Sequence, residues 1–220
     1  MSTTRADEIL HILKKNFLMP QWESSTRNSF QTLIVTIISQ NTAGKNTAEA
    51  FKRLSKKFRI TPEALAKADV KDIEEALRVA GLFRNKAKNI KQVSQIILNQ
   101  FNGSTDFVYS MPFEEARKTL LALPGVGPKT ADVVLLFSAG KGTIPVDTHV
   151  NRVSKRLGLA PAKADYEGVR MALQSLYAAE DFLAVHLLLI ALGRRYCKAL
   201  RPLCKQCPVN NLCPSRRIED

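Results

Sequence analysis

The sequence predicts an all-α fold, and three observations carry that prediction. Apolar residues recur at helical spacing along most of the chain, glycines and capping residues punctuate the periodic stretches, and no alternating β-branched run is long enough for a strand. The clearest periodic stretch holds Phe30, Leu33, Ile34, Ile37 and Ile38, which fall on one helix face at i, i+3, i+4, i+7 and i+8. The best strand candidate, Gly142 to Val146, is short and contains Pro145.

In chain order, Thr4 followed by Asp7 supplies a capping box for an opening helix that turns Ile9, Leu10, Ile12, Leu13 and Phe17 inward. Further helices are expected over 44–57, 71–79, 85–101, 113–122, 129–139, 148–157, 166–178 and 181–196. Gly81, the Asn102-Gly103 pair, Gly140 and Gly158 stand where helix C-caps belong. Internal repeats and low-complexity tracts are absent, so the helices form a globular array rather than a solenoid. Two places interrupt the pattern strongly, Met19-Pro20-Gln21-Trp22 and Ala139-Gly140-Lys141-Gly142-Thr143, and either can carry the chain from one helical lobe to another.

Composition narrows the function classes. With 220 residues, 45% hydrophobic and 24% charged, the chain can bury a large core, which excludes disorder throughout. Its 33 Lys and Arg against 20 Asp and Glu leave a formal charge of +13, which favours a polyanionic partner. The longest nearly continuous apolar run, Phe182 to Leu192, is too short to span a bilayer and contains His186, so no membrane is expected. The N-terminus lacks the apolar stretch of a secretory signal. The expected setting is a reducing cytoplasm, where the four cysteines would not be disulfides. Nothing in the sequence calls for an oligomer, and a monomer is expected.

All four cysteines, Cys197, Cys204, Cys207 and Cys213, fall near the C-terminus in the spacing C-x6-C-x2-C-x5-C. Such a group can close on one metal centre, and spacing leaves two main readings: a tetrahedral zinc site or a four-iron cluster with one thiolate on each iron. Four ordinary buried thiols are a third reading, disfavoured because Pro202, Pro208 and Pro214 make the segment stiff and irregular. Lys198, Arg201 and Lys205 lie on the loops between the cysteines, where a fixed metal loop would turn them into a phosphate-facing surface.

Upstream, an apolar helix end runs into Leu123-Pro124-Gly125-Val126-Gly127 and then into a second helix. With Val126 buried between the two helices, this describes a helix-hairpin-helix. Gly125 and Gly127 let the backbone turn and approach a phosphate, and the following helix start offers N–H groups and a positive dipole end. Lys129 follows in the first turn. Asp147 lies further on in Pro145-Val146-Asp147-Thr148, where its plainest role is an N-cap. Together the two could serve as lysine nucleophile and carboxylate partner.

LPGVGPKTADVV at 123–134, IPVDTHVNRV at 144–153 and the cysteine box, in this order, resemble the endonuclease III family of helix-hairpin-helix DNA glycosylases, and IISQNT at 37–42 and GLFRNKAKNI at 81–90 extend the resemblance to roughly residues 25–215. The resemblance implies a two-lobed all-α fold with a central DNA-binding cleft. Residues 22–141 would form a helical barrel lobe containing the hairpin, and 1–21 with 142–220 a discontinuous lobe ending in the cluster loop. It also implies a 4Fe–4S cluster rather than zinc, Lys129 and Asp147 as catalytic residues, Gln40 filling the space left by a flipped base, and Leu82 as a wedge in the opposite strand. The implied activity is that of a bifunctional glycosylase and AP lyase. Acting on double-stranded DNA with damaged bases or abasic sites, it would remove oxidised pyrimidines, nick the strand through a lysine Schiff base, and be found with the nucleoid. Two alternatives stay open: a mismatch thymine or uracil glycosylase of the same superfamily, and a non-catalytic DNA-binding relative.

Overall fold

The computed structural model describes residues 4–19 and 28–217, and among them every regular element is helical. The α-helices are α1 (Arg5–Asn16), α2 (Ser29–Ser39), α3 (Gly44–Lys57), α4 (Pro62–Lys67), α5 (Val70–Leu77), α6 (Phe83–Gln100), α7 (Phe107–Ser110), α8 (Phe113–Leu121), α9 (Pro128–Ala139), α10 (Thr148–Arg156), α11 (Tyr166–Leu176) and α12 (Phe182–Arg195). Short 3-10 turns follow at Cys204–Gln206 and Asn210–Leu212. By contacts, residues 23–141 make one compact unit, and 1–22 with 142–220 make the other. The break expected at Pro20-Gln21-Trp22 lies outside the described residues.

The 23–141 unit is built around α2. All five of its periodic apolar residues are buried, and the helix packs against α3, α6 and α9. A helix apolar over so much of its surface must sit inside, not on a face. The amphipathic helices α3 and α6 pack on it and α5 packs on both of them, α5 opening on Asp69, whose side chain accepts from the Lys71 amide. Two helices lie where none was expected. α4 starts from Thr61, which caps the Ala64 amide with Pro62 at the first position, and α7 is a single turn. Both are too short for hydrophobic periodicity to register.

In the second unit α1 packs on α12, and α10 on α11 and α12. Its core joins distant parts of the chain, from Ile9 and Leu13 through Val150, Val153 and Leu189 to Val209. The expected capping box opens α1, with the Thr4 amide donating to Asp7 at 3.0 Å and the Asp7 amide to Thr4 Oγ1 at 3.2 Å. Arg5 then stitches the helix down by donating to the carbonyls of Leu157, Gly158 and Leu212. Gly142–Val146 is irregular rather than a strand, with residues 143–146 buried and Gly142 exposed.

Gly103, Gly140 and Gly158 take the left-handed conformation expected of C-caps, whereas Gly81 does not. There the positive φ moves one residue on to Leu82, and Gly81 serves another purpose: a Cβ at its position would lie 3.3 Å from the Asn41 carbonyl oxygen. A close backbone approach, not a turn, is what this glycine permits.

Candidate active site and cysteine box

In the 23–141 unit the hairpin joins α8 to α9. Leu123 accepts from the Val126 amide at 3.1 Å, Gly125 adopts φ 75°, and Gly127 is the N-cap of α9 with Pro128 as its first residue. Val126 is buried while Gly125 and Gly127 are exposed. The two glycines differ in what they permit: a Cβ on Gly125 would collide with the Asn89 amide on α6, whereas Gly127 faces open space. No side chain caps the α9 N-terminus, which leaves the dipole end available to an anion. A buried ion pair braces the two helices, with Arg117 Nε donating to Asp132 Oδ1 at 2.7 Å.

Around this hairpin stand the other expected residues of the same unit. Lys129 is half-buried in the first turn of α9. Gln40, at the C-cap of α2, donates from Nε2 to the Gly125 carbonyl at 2.9 Å and to Thr130 Oγ1 at 3.2 Å. Leu82 caps the N-terminus of α6 at φ 56° and is 60% exposed. An apolar side chain held outward on a left-handed residue carries conformational strain and solvent exposure together, which is costly unless something covers it.

Asp147 belongs to the other unit. It is the N-cap of α10, its Oδ1 accepting from the Val150 amide at 2.7 Å. The residues before it are held from two sides: Pro145 accepts from His186 Nδ1 at 2.8 Å, and the Val146 amide donates to the Tyr166 hydroxyl at 3.3 Å. Beside Asp147 opens a cavity of about 300 Å³ bordered by Asn151, Lys155, Asp165 and Tyr166.

The four cysteines are half-buried and line a single cavity of about 210 Å³ together with Arg156, Leu192 and Tyr196. Among the described residues no group of three or more His, Cys, Asp or Glu side chains is placed to hold one metal ion. Arg156 donates to Cys197 Sγ at 3.5 Å and to the Lys198 carbonyl at 2.7 Å, and Arg152 donates to the Cys197 carbonyl at 2.9 Å. Burial pushes the Cys207 and Cys213 thiols above their ordinary pKa, a tendency that a bound cation would reverse. Lys198, Arg201 and Lys205 are all exposed, Arg201 on a left-handed residue at φ 50°.

Sequence reasoning missed the polar residues that act from below the surface: Lys86, Arg117 and Asp132 in one unit, and Arg152 and Arg156 in the other. The one available signal was spacing. Arg152 and Arg156 follow Asp147 on α10 as a pair four residues apart, so they share a face.

A family model for the HhH-GPD superfamily of base excision DNA repair proteins matches residues 34–179. The chain is 37% identical over 201 residues to endonuclease III of Sulfolobus acidocaldarius, covering 91% of this chain and 88% of that one. It is 35% identical to endonuclease III of Escherichia coli across the whole of both chains. A solved structure of a trapped endonuclease III–DNA covalent intermediate superposes with a TM-score of 0.85 at 33% identity, covering 98% of this chain and 97% of that one. The helical fold, the hairpin and the matches over the chain's length agree: this chain belongs to the endonuclease III family of HhH-GPD base excision repair proteins.

Proposed function

We propose that this chain is a bifunctional DNA glycosylase and AP lyase acting on oxidised pyrimidines in duplex DNA, with Lys129 as nucleophile and Asp147 as its electrostatic partner. The observation that carries the reading is the placement of Lys129 one residue from Thr130, which with Gly125 is bonded by Gln40. A lysine is thereby set in the first turn behind an anion-accepting helix start.

The chemistry follows from these groups. A base must leave the stack before its sugar can be reached, at a cost of a few kcal/mol that is least for damaged pairs. Leu82 would enter the gap on one strand and Gln40 the space left on the other. Lys129, as the neutral amine, adds to C1′ while the glycosidic bond breaks and the base departs with the bonding electrons, taking up a proton. Asp147 stabilises the positive charge developing on the sugar. Ring opening gives the imine, loss of a C2′ proton expels the 3′ phosphate, and water releases the lysine.

The family generally carries a 4Fe–4S cluster. Four soft thiolate donors lining one cavity of about 210 Å³ fit such a group. Cys197, Cys204, Cys207 and Cys213 would hold it. When bound, it would organise the loops bearing Lys198, Arg201 and Lys205 against phosphates.

The test is a panel of duplexes, each with one lesion, incubated with purified protein and resolved for base loss and nicking, alongside borohydride trapping. Oxidised pyrimidines should be released and trapped by the parent protein, with about four irons per chain. Lys129→Gln should keep DNA binding and lose trapping and nicking. A trapped complex with that variant would remove Lys129 as nucleophile, and release confined to mismatched thymine or uracil would replace the substrate class.

A further inference from the structure

Lys86, in the first turn of α6, is 3% exposed and is the buried lysine among the described residues. No carboxylate pairs with it there. Its ammonium donates to the Ile38 carbonyl at 2.9 Å and to Thr42 Oγ1 at 2.6 Å. Burial lowers its pKa from the ordinary lysine value, as desolvation of a cation must. A buried cation without a counter-ion is expensive, and a methionine would fill the same stem volume without that cost. What the ammonium holds must therefore account for it.

Its two acceptors straddle Ser39, Gln40 and Asn41, the turn that ends α2. Asn41 sits at φ 51°, a conformation that non-glycine residues adopt only when surroundings impose it. The Ile38 carbonyl lies in the last turn of α2, where a cation offsets the helix dipole. From this turn Gln40 reaches the hairpin, bonding the Gly125 carbonyl and Thr130. On the other side, the Asn41 carbonyl lies against Gly81, and the Lys86 amide donates to the Leu82 carbonyl at 3.1 Å. Lys86 thus joins the backbone around Leu82 to the turn that carries Gln40.

We propose that Lys86 is a positioning residue for this site: its buried ammonium fixes the Ile38–Thr42 turn and so keeps the Gln40 amide in register with the hairpin and with Leu82. The inference rests on the reading of Gln40 and Lys129 given above.

Lys86→Met, which keeps the stem and removes the donors, tests it. Binding to undamaged duplex should stay near the parent value, while single-turnover base release falls by about ten- to hundredfold, the scale expected for slight misplacement of a catalytic group. Because both act through one turn, adding Lys86→Met to Gln40→Ala should cost little beyond Gln40→Ala alone. Parent-like release, or fully additive losses, would overturn the proposal. Should Lys86→Met not fold, Thr42→Val removes one acceptor at a half-buried position and should show the same non-additivity with Gln40→Ala; additive losses would again overturn it. Backbone amide exchange on the free protein separates this proposal from the reading beneath it. Exchange at 41–42 and 125–127 should quicken in the Lys86 or Thr42 variant, and unchanged exchange sinks the positioning role. If exchange quickens but the parent protein releases no base from any duplex, the functional reading fails and the strut stands.

Discussion

A carboxylate that caps a helix has one oxygen already engaged. In Asp147 that oxygen is Oδ1, bonded to the Val150 amide, and the proposed function assigns Oδ2 to a developing positive charge. Asp147→Asn separates the two duties, since asparagine caps as well as aspartate but carries no charge. Thermal stability should stay close to the parent's, and single-turnover base release should fall by about 10²- to 10³-fold, the loss typical of one electrostatic stabiliser. Retained release would leave Asp147 as a cap alone. The cap was legible in the sequence, because capping is a local rule; the catalytic duty rests on the resemblance of the motif around it and is proposed. Lys86 was not legible. A lysine in the first turn of a helix, on a chain of charge +13, reads as solvated, and its burial depends on where α2 crosses α6.

The same division between local and distant causes separates the elements. Helices α3, α6, α9, α10, α11 and α12 were readable from apolar spacing, and α1 also from its capping box. α4 and α7 were not, although Thr61-Pro62 is a start signal, because a turn or two holds too few apolar positions to show a period. The hairpin was readable as glycines between helices, but what makes Gly125 necessary was not: Asn89 comes from α6, far away in sequence. Gly125→Ala must strain a left-handed residue by about 1–2 kcal/mol and also push Asn89 aside. The expected result is a melting temperature several degrees lower and weaker binding to any duplex, whereas Gly127→Ala, which meets open space and extended backbone, should leave stability near the parent's. Equal losses in both variants would mean that the steric account is wrong.

At the scale of the whole molecule, the excess of basic residues sets how binding responds to salt. The candidate contacts are hairpin amides with Lys198, Arg201 and Lys205, and each lost phosphate contact should reduce the slope of log affinity against log salt by about 0.9 on B-form DNA. Arg201→Ala is the informative variant: a flatter slope and uniformly weaker binding to all duplexes are expected. An unchanged slope with an altered choice of lesion would move Arg201 from backbone to base recognition.

The two units also differ in how their sequences are laid out. Residues 23–141 are contiguous, while the other core needs Ile9 and Val209 at once. During synthesis, the hairpin unit has all its residues before α10 is made, and the lobe bearing Asp147 and the cysteines cannot close until Val209 has emerged. On the proposed reading, a nascent or truncated chain would then hold a formed hairpin and Lys129 before Asp147 is in place, so the ability to grip DNA would arise earlier in the life of the polypeptide than the ability to cut it.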